Sequence, residues 1–347
     1  MVSVPNQAVP ATDVIALHVQ TKQRGMLADS LHRLARNRPA MIGGLLIVVM
    51  VALSILAPFI APKAYDAAVL TDNNSAPTWV TRLFPTMLPR DQGGYVNVNE
   101  GYALGADKLG RDLLSRLLYG SRISLAVAAV GPIISFGVGL LVGITAGYVG
   151  GKVDNLLMRL VDVMYAFPTM LLIILMMTFF RTSLTDAEPG SFAHALARLD
   201  TSLGGMFFIF IGIGLTAWMG MARLVRGQVL SLREKEYILA AQALGAKTPW
   251  IMLRHILPNI LGPLIIAETL AIPAYISYEA FLSFIGLGVK PPMPSWGSMI
   301  AEGAAVIQTY PNQTIFPALA LFLVMFAFNF LGDGLRDALD PRMRGVD

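Results

Sequence analysis

Long apolar runs decide what this chain can fold into. Segments poor in charge recur at 41–61, 123–148, 155–180, 206–221, 260–285 and 314–331. A helix rising ~1.5 Å per residue needs about 20 residues to cross a hydrocarbon core of ~30 Å. Inside lipid each backbone N–H and C=O must find its partner within the protein, so spanning runs of this length are helices. Composition agrees: 55% of the 347 residues are hydrophobic and 14% are charged, where a soluble chain carries about 25% charged. The expected fold is therefore all-α and polytopic, with six transmembrane helices.

The same composition removes several chemistries. There is no cysteine, hence no disulfide, thiolate metal site or cysteine nucleophile. His18, His32, His194 and His255 form no ligand-spaced pair. A net charge of +4 argues for no nucleic-acid partner, and the cations are better read through topology. With both ends inside, the short loops and the C-terminus carry eleven Lys and Arg on the inner side against three on the outer. That bias orients the chain with both termini cytoplasmic. The only glycine-rich stretch near a lysine, Gly147-Tyr-Val-Gly-Gly-Lys-Val-Asp154, has Ala146 before it and Val153 after Lys152. No G-x4-G-K-[ST] loop exists, so the chain holds no ATP by that route.

In chain order, 1–40 reads as a cytoplasmic tail with a short amphipathic helix over 27–34, and 41–61 as the first span. Residues 62–122 form an external loop. It closes on a leucine face, Leu113, Leu114, Leu117 and Leu118, with Asp112 and Arg116 spaced to pair at i, i+4. That pattern predicts a helix lying at the membrane surface before the second span. The core follows over 123–335, and a cytoplasmic tail over 336–347. Within the third span Arg159 lies in helical reach of Asp154 and Asp162, a paired interfacial cluster. Residues 181–205 read as a polar loop.

The most informative loop is 223–258. Glu236 to Leu244 is a run of strong helix formers that Gly245 stops. Thr248 and Pro249 then read as an N-cap and a proline in the first turn, with Pro258 ending the second short helix. Small side chains at Ala240, Ala241, Ala243 and Ala246 leave backbone open to whatever docks there. Further on, Glu268 and Glu279 stand in an apolar run, where each carboxylate costs at least ~2.5 kcal/mol at mid-membrane unless solvated or paired. Both are candidates for lining a polar pathway.

These segments resemble one family. Ala240-Ala241, Gly245 and Leu257-Pro258 match the EAA loop of ABC importer permeases, although the name-giving glutamate falls at Leu239, with Glu236 one turn away, and His255 replaces an aliphatic residue. Asp107, Leu109-Gly-Arg-Asp112, Ser115-Arg116, Tyr119-Gly120 and Arg122-Ile-Ser-Leu125 match the segment that opens the core of C-type permease subunits of dipeptide and oligopeptide importers, with Ala106 for its threonine. Glu279-Ala-Phe-Leu-Ser-Phe-Ile-Gly-Leu-Gly288, the loop through Pro291, Pro292 and Trp296, and Gly332-Asp-Gly-Leu-Arg-Asp-Ala-Leu-Asp-Pro-Arg342 are similar to later family segments.

The resemblance implies a type I importer permease fold in a bacterial or archaeal cell membrane, and a subunit that does no chemistry. It implies partners: a second homologous permease, two ATP-binding subunits that hold the nucleotide, and an extracytoplasmic solute-binding protein. Glu236, Ala240, Ala241, Gly245, Ala246, Leu257 and Pro258 would couple to the ATPase, while Pro291, Pro292 and Trp296 would meet the binding protein. The cargo class would be peptides, with nickel complexes, glutathione and antimicrobial peptides as alternatives. Two other classes fit worse. An intramembrane hydrolase needs a nucleophile–base pair or an H-E-x-x-H, and neither is present; a secondary transporter usually carries internal repeats, and none is visible.

Overall fold

The computed structural model describes residues 26–185 and 187–339; the ends of both expected tails, 1–25 and 340–347, lie outside them. The first elements are α1 (Met26–Arg36) and α2 (Arg38–Ile60), separated by Asn37, whose Oδ1 accepts from the Ala40 N–H at 3.2 Å. After a short α3 (Thr78–Leu83) comes α4 (Leu113–Ile134), a π-helical turn over 135–139, and α5 (Leu140–Val149). Then follow α6 (Gly151–Tyr165), α7 (Thr169–Thr185), α8 (Phe192–Ser202) and α9 (Phe207–Arg233). Two short helices, α10 (Glu236–Ala243) and α11 (Thr248–Ile251), lead through a second π turn into α12 (Leu257–Phe284). The chain closes with α13 (Trp296–Ala304) and α14 (Asn312–Leu339).

Among the described residues, five helical segments are long and apolar enough to cross a membrane, and α6 with α7 make a sixth if the bent pair is one span. The bend is 81°. It falls at Pro168, which has no N–H to give and clashes with a continuing helix.

Close packing depends on small residues. Gly139, Gly143 and Gly147 recur every four positions, so they form one stripe facing α9. A methyl at Gly143 would sit 2.5 Å from the Val225 Cβ and 2.6 Å from the Ala222 carbonyl oxygen, and one at Gly147 2.9 Å from the Val229 Cβ. Backbones approach this closely only where side chains are absent, the usual device for packing helices in lipid. Likewise a methyl on Gly43 would meet the Ala327 carbonyl oxygen at 2.6 Å, which brings α2 against α14. α12 runs between α4, α9 and α14, with Ile276, Leu264 and Leu282 buried along it.

The 62–112 segment folds on a small core of its own, Ala76, Val80, Met87 and Val96, roofed by Phe84, Tyr310 and Phe316. Side chains at the start of α14 tie it down: Asn312 donates to the Leu104 carbonyl at 3.0 Å and Gln313 to the Asn74 side chain at 2.8 Å.

Several expectations are corrected. No separate surface helix precedes the second span, because nothing breaks the helix at Arg122 and Ile123, and α4 runs on from Leu113. Asp112 does not pair with Arg116. Its carboxylate caps α4, accepting from the Ser115 N–H at 2.7 Å and hydroxyl at 2.6 Å. Arg159 stays exposed; Asp154 instead takes Arg226 at 2.5 and 2.6 Å, and Asp162 takes Arg223 at 2.7 Å, both across to α9. The 181–205 loop contains α8, begun by Ser191, which accepts from the His194 N–H at 3.1 Å. The N-cap before Pro249 is Lys247 rather than Thr248, and Pro258 ends nothing: it sits in the first turn of α12, where a missing N–H costs little.

Candidate functional site

In the 236–258 segment α10 turns back on α11, which runs on through the π turn into α12, and one side of it is anchored. Ile238, Ile251 and Ile256 are fully buried, packed with Val225, Val229 and Ile260 from α9 and α12. The turn between α10 and α11 needs a left-handed residue, and Gly245 supplies it at φ +80° with nothing within 4 Å of where a Cβ would stand. The other side is apolar and bare: Tyr237, Leu239, Trp250 and Leu253 are exposed, and Leu244 at the tip is 89% exposed. Of the residues expected to couple, Glu236, Ala240, Gly245 and Pro258 lie on the surface, while Ala241, Ala246 and Leu257 are half-buried and pack toward the anchoring core. The alanines keep the backbone of α10 low, so the large apolar side chains stand proud of it.

Both carboxylates of α12 are buried, in different settings. Glu268 receives the Ser135 hydroxyl at 2.8 Å and the Tyr275 hydroxyl at 2.9 Å. It lines a cavity of about 210 Å³ between α12, α9 and the π turn after α4. Ser135 is the first residue of that turn, at the end of α4. Glu279 is 0% exposed and enclosed by Ser124 at 3.1 Å and Ser283 at 2.6 Å. As a surface for passing cargo Glu279 is corrected: in this chain it is a sealed polar link between α4 and α12.

Trp296 is corrected too. Pro291 and Pro292 are exposed, whereas Trp296 is 1% exposed and its indole N–H donates to the Leu117 carbonyl of α4 at 3.1 Å. An indole fixed by that bond and packed with Ile276 and Val324 offers no face to a docking protein. Ser295 and Ser298 form a reciprocal capping box that starts α13 beside it.

One cluster escaped the sequence reading altogether. Arg111 donates to Asp107 at 2.7 Å and to Glu302 at 2.8 Å. Arg116, only 2% exposed, grips Glu302 through both carboxylate oxygens at 2.7 and 3.1 Å and also holds Asp107. Burial alone would raise the Glu302 carboxyl, but the Arg116 hydrogen bond and charge, with Arg111, hold it below its ordinary value. The motif names Asp107, Arg111 and Arg116 but not Glu302, which lies 186 residues from Arg116 and had no periodicity to mark it.

The family described as "Binding-protein-dependent transport system inner membrane component" matches residues 139–345, more than half of the chain. The description "N-terminal TM domain of oligopeptide transport permease C" matches residues 25–77. This chain is a member of that permease family. It is 38% identical over 327 residues to the oligopeptide transport system permease protein of Haemophilus influenzae, covering 94% of this chain and 92% of the relative. It is 37% identical over 317 residues to the dipeptide transport system permease protein of Bacillus subtilis, with 91% and 86% covered. A glutathione transport system permease protein of Pectobacterium atrosepticum is 35% identical, with 90% of each chain covered.

The all-α, polytopic fold expected from the apolar runs, and the importer-permease fold that the resemblance implied, are thus the fold of this membrane permease. The two matched stretches leave 78–138 between them, and that interval holds α3, the capping Asp112 and all of α4.

Proposed function

We propose that this permease is the transmembrane subunit of an ATP-driven importer of peptides, with 236–258 as the element gripped by a separate ATPase in the cytoplasm. The observation that carries the reading is the bare apolar tip, with Leu244 89% exposed on a two-helix piece whose other side is anchored by three buried isoleucines. An exposed cluster of this kind marks a protein contact, and its rigid anchorage suits it to transmit movement to α9 and α12. The working assembly has a second homologous permease, two ATP-binding subunits and a solute-binding protein outside. It sits in the cell membrane among lipid, with both termini in the cytoplasm. Peptide is the favoured cargo because relatives named for oligopeptides and dipeptides cover over nine-tenths of the chain. Nickel complexes, glutathione and antimicrobial peptides remain rival cargoes, and the glutathione-named relative speaks for one of them. Pro291 and Pro292 are the proposed contacts for the binding protein.

Leu244→Asp tests the reading. It alters an exposed side chain, so the permease should insert and fold, while the ATPase should cease to co-purify. The absence of native cysteine makes Ala243→Cys a clean probe for labelling from either side. An ATPase-free wild-type assembly, or labelling from outside, would overturn the proposal.

A further inference from the structure

We propose that the cavity at Glu268 is a binding site for a primary ammonium group, the free amino end of the cargo as it passes the middle of the membrane. The inference rests on the permease reading above and adds to it a ligand chemistry and a residue.

Four observations converge. Glu268 lies eleven residues into α12, about 17 Å from its start and ~24 Å from its end at ~1.5 Å per residue, in the middle stretch of a helical segment apolar enough to cross a membrane. A carboxylate there is expensive and, by default, functional. Its two oxygens offer about four lone-pair positions, of which Ser135 and Tyr275 take one each. Among the described residues no Lys, Arg or His pairs with it. The unfilled positions belong to a side chain that lines a cavity of about 210 Å³, bounded by small surfaces at Ala217, Gly220 and Ala271. That space suits one terminal residue of a peptide, and Glu268 is the one carboxyl group in its lining. Glu279 makes the contrast: the hydroxyls of Ser124, Ser283 and Ser295 surround it, and at 0% exposure it is closed off. The π turn also belongs to the site, since its first residue, Ser135, donates to the α12 carboxylate. Such turns occur frequently at functional sites.

The test uses the whole assembly with its binding protein, reconstituted in proteoliposomes, and two cargoes: trialanine and N-acetyl-trialanine. The binding protein is the same with each permease, so its own preference cancels when wild type and variant are compared. Glu268→Gln should lower uptake of trialanine relative to the acetylated peptide by about tenfold, the size of one lost charge-assisted hydrogen bond. Ala271→Leu fills the cavity and leaves the carboxylate in place, and it should erase the same preference. Should Glu268→Gln fail to assemble, Ala271→Leu alone decides. Parallel loss for both peptides would assign Glu268 to holding α4 and α12 together and overturn the proposal. An unchanged ratio in either variant would overturn it as well. If the wild-type assembly moves neither peptide, the permease-for-peptide reading fails instead, and that outcome removes this inference with it.

Discussion

Replacing Arg116 by methionine keeps the length and most of the volume of the side chain and deletes one charge from a closed network. In the native chain two guanidinium groups, Arg111 and Arg116, face two carboxylates, Asp107 and Glu302. Removing Arg116 leaves two negative groups sharing one cation, with Asp107 3% exposed. Breaking a buried pair by deleting one partner costs about 3–5 kcal/mol. Arg111 still bridges both carboxylates, so the lower end, about 3 kcal/mol, applies. At roughly 2–4 °C per kcal/mol in chains of 150–250 residues, and less in a longer one, the unfolding midpoint should fall by roughly 5–10 °C. Trp296 bonds to Leu117, the neighbour of Arg116, so tryptophan fluorescence of the lipid-reconstituted assembly reports the loss. Glu302→Gln, at a side chain 30% exposed, should cost less, about 1–2 kcal/mol. The double variant should fall short of the sum by about 1–3 kcal/mol, as coupled neighbours do. A midpoint for Arg116→Met within a degree of wild type, or strict additivity, would refute the view that this network fastens α13 and the 62–112 segment to α4.

Two further outcomes follow from the same structure. Gly143→Leu should cost at least ~1–3 kcal/mol by overpacking, because its first carbon already meets Val225 at 2.5 Å; Gly137→Ala, with nothing within 4 Å, should be neutral, and equal effects at the two sites would defeat the packing account. The Glu302 carboxyl is held below its ordinary value of about 4.5 when folded, so its stabilisation is complete above that value and lost as pH falls through the lower folded one. Unfolding midpoints followed from pH 6 to 3 should drop more steeply in wild type than in Glu302→Gln, and coincident curves would contradict the assignment.

The apolar runs, the glycine stop at Gly245 and the two short helices were legible in the sequence because each follows from local chemistry: span length, a left-handed turn, strong helix formers between punctuating residues. What could not be read locally was which partner each charge takes. Asp112 and Arg116 have the spacing of a helical pair, yet one is spent on capping α4 and the other reaches Glu302, 186 residues on. Asp162 lies one helical turn from Arg159, whereas Asp154, five positions away, points elsewhere; each goes instead to an arginine of α9, because the glycine stripe of α5 draws α9 close and α6 folds back beside it. Trp296 fails in the same way: a tryptophan beside prolines in a loop looks like a docking surface until α4 offers it a carbonyl. The bend at Pro168 and the π turn at Ser135 are the reverse case, where one local irregularity decides a distant contact. A proline splits a span that composition alone reads as whole, and a hydroxyl at the start of an irregular turn meets a carboxylate 133 positions away. In a membrane chain the spans are set by local composition and the partnerships by close packing. Functional polar groups are therefore legible as residues before they are legible as sites.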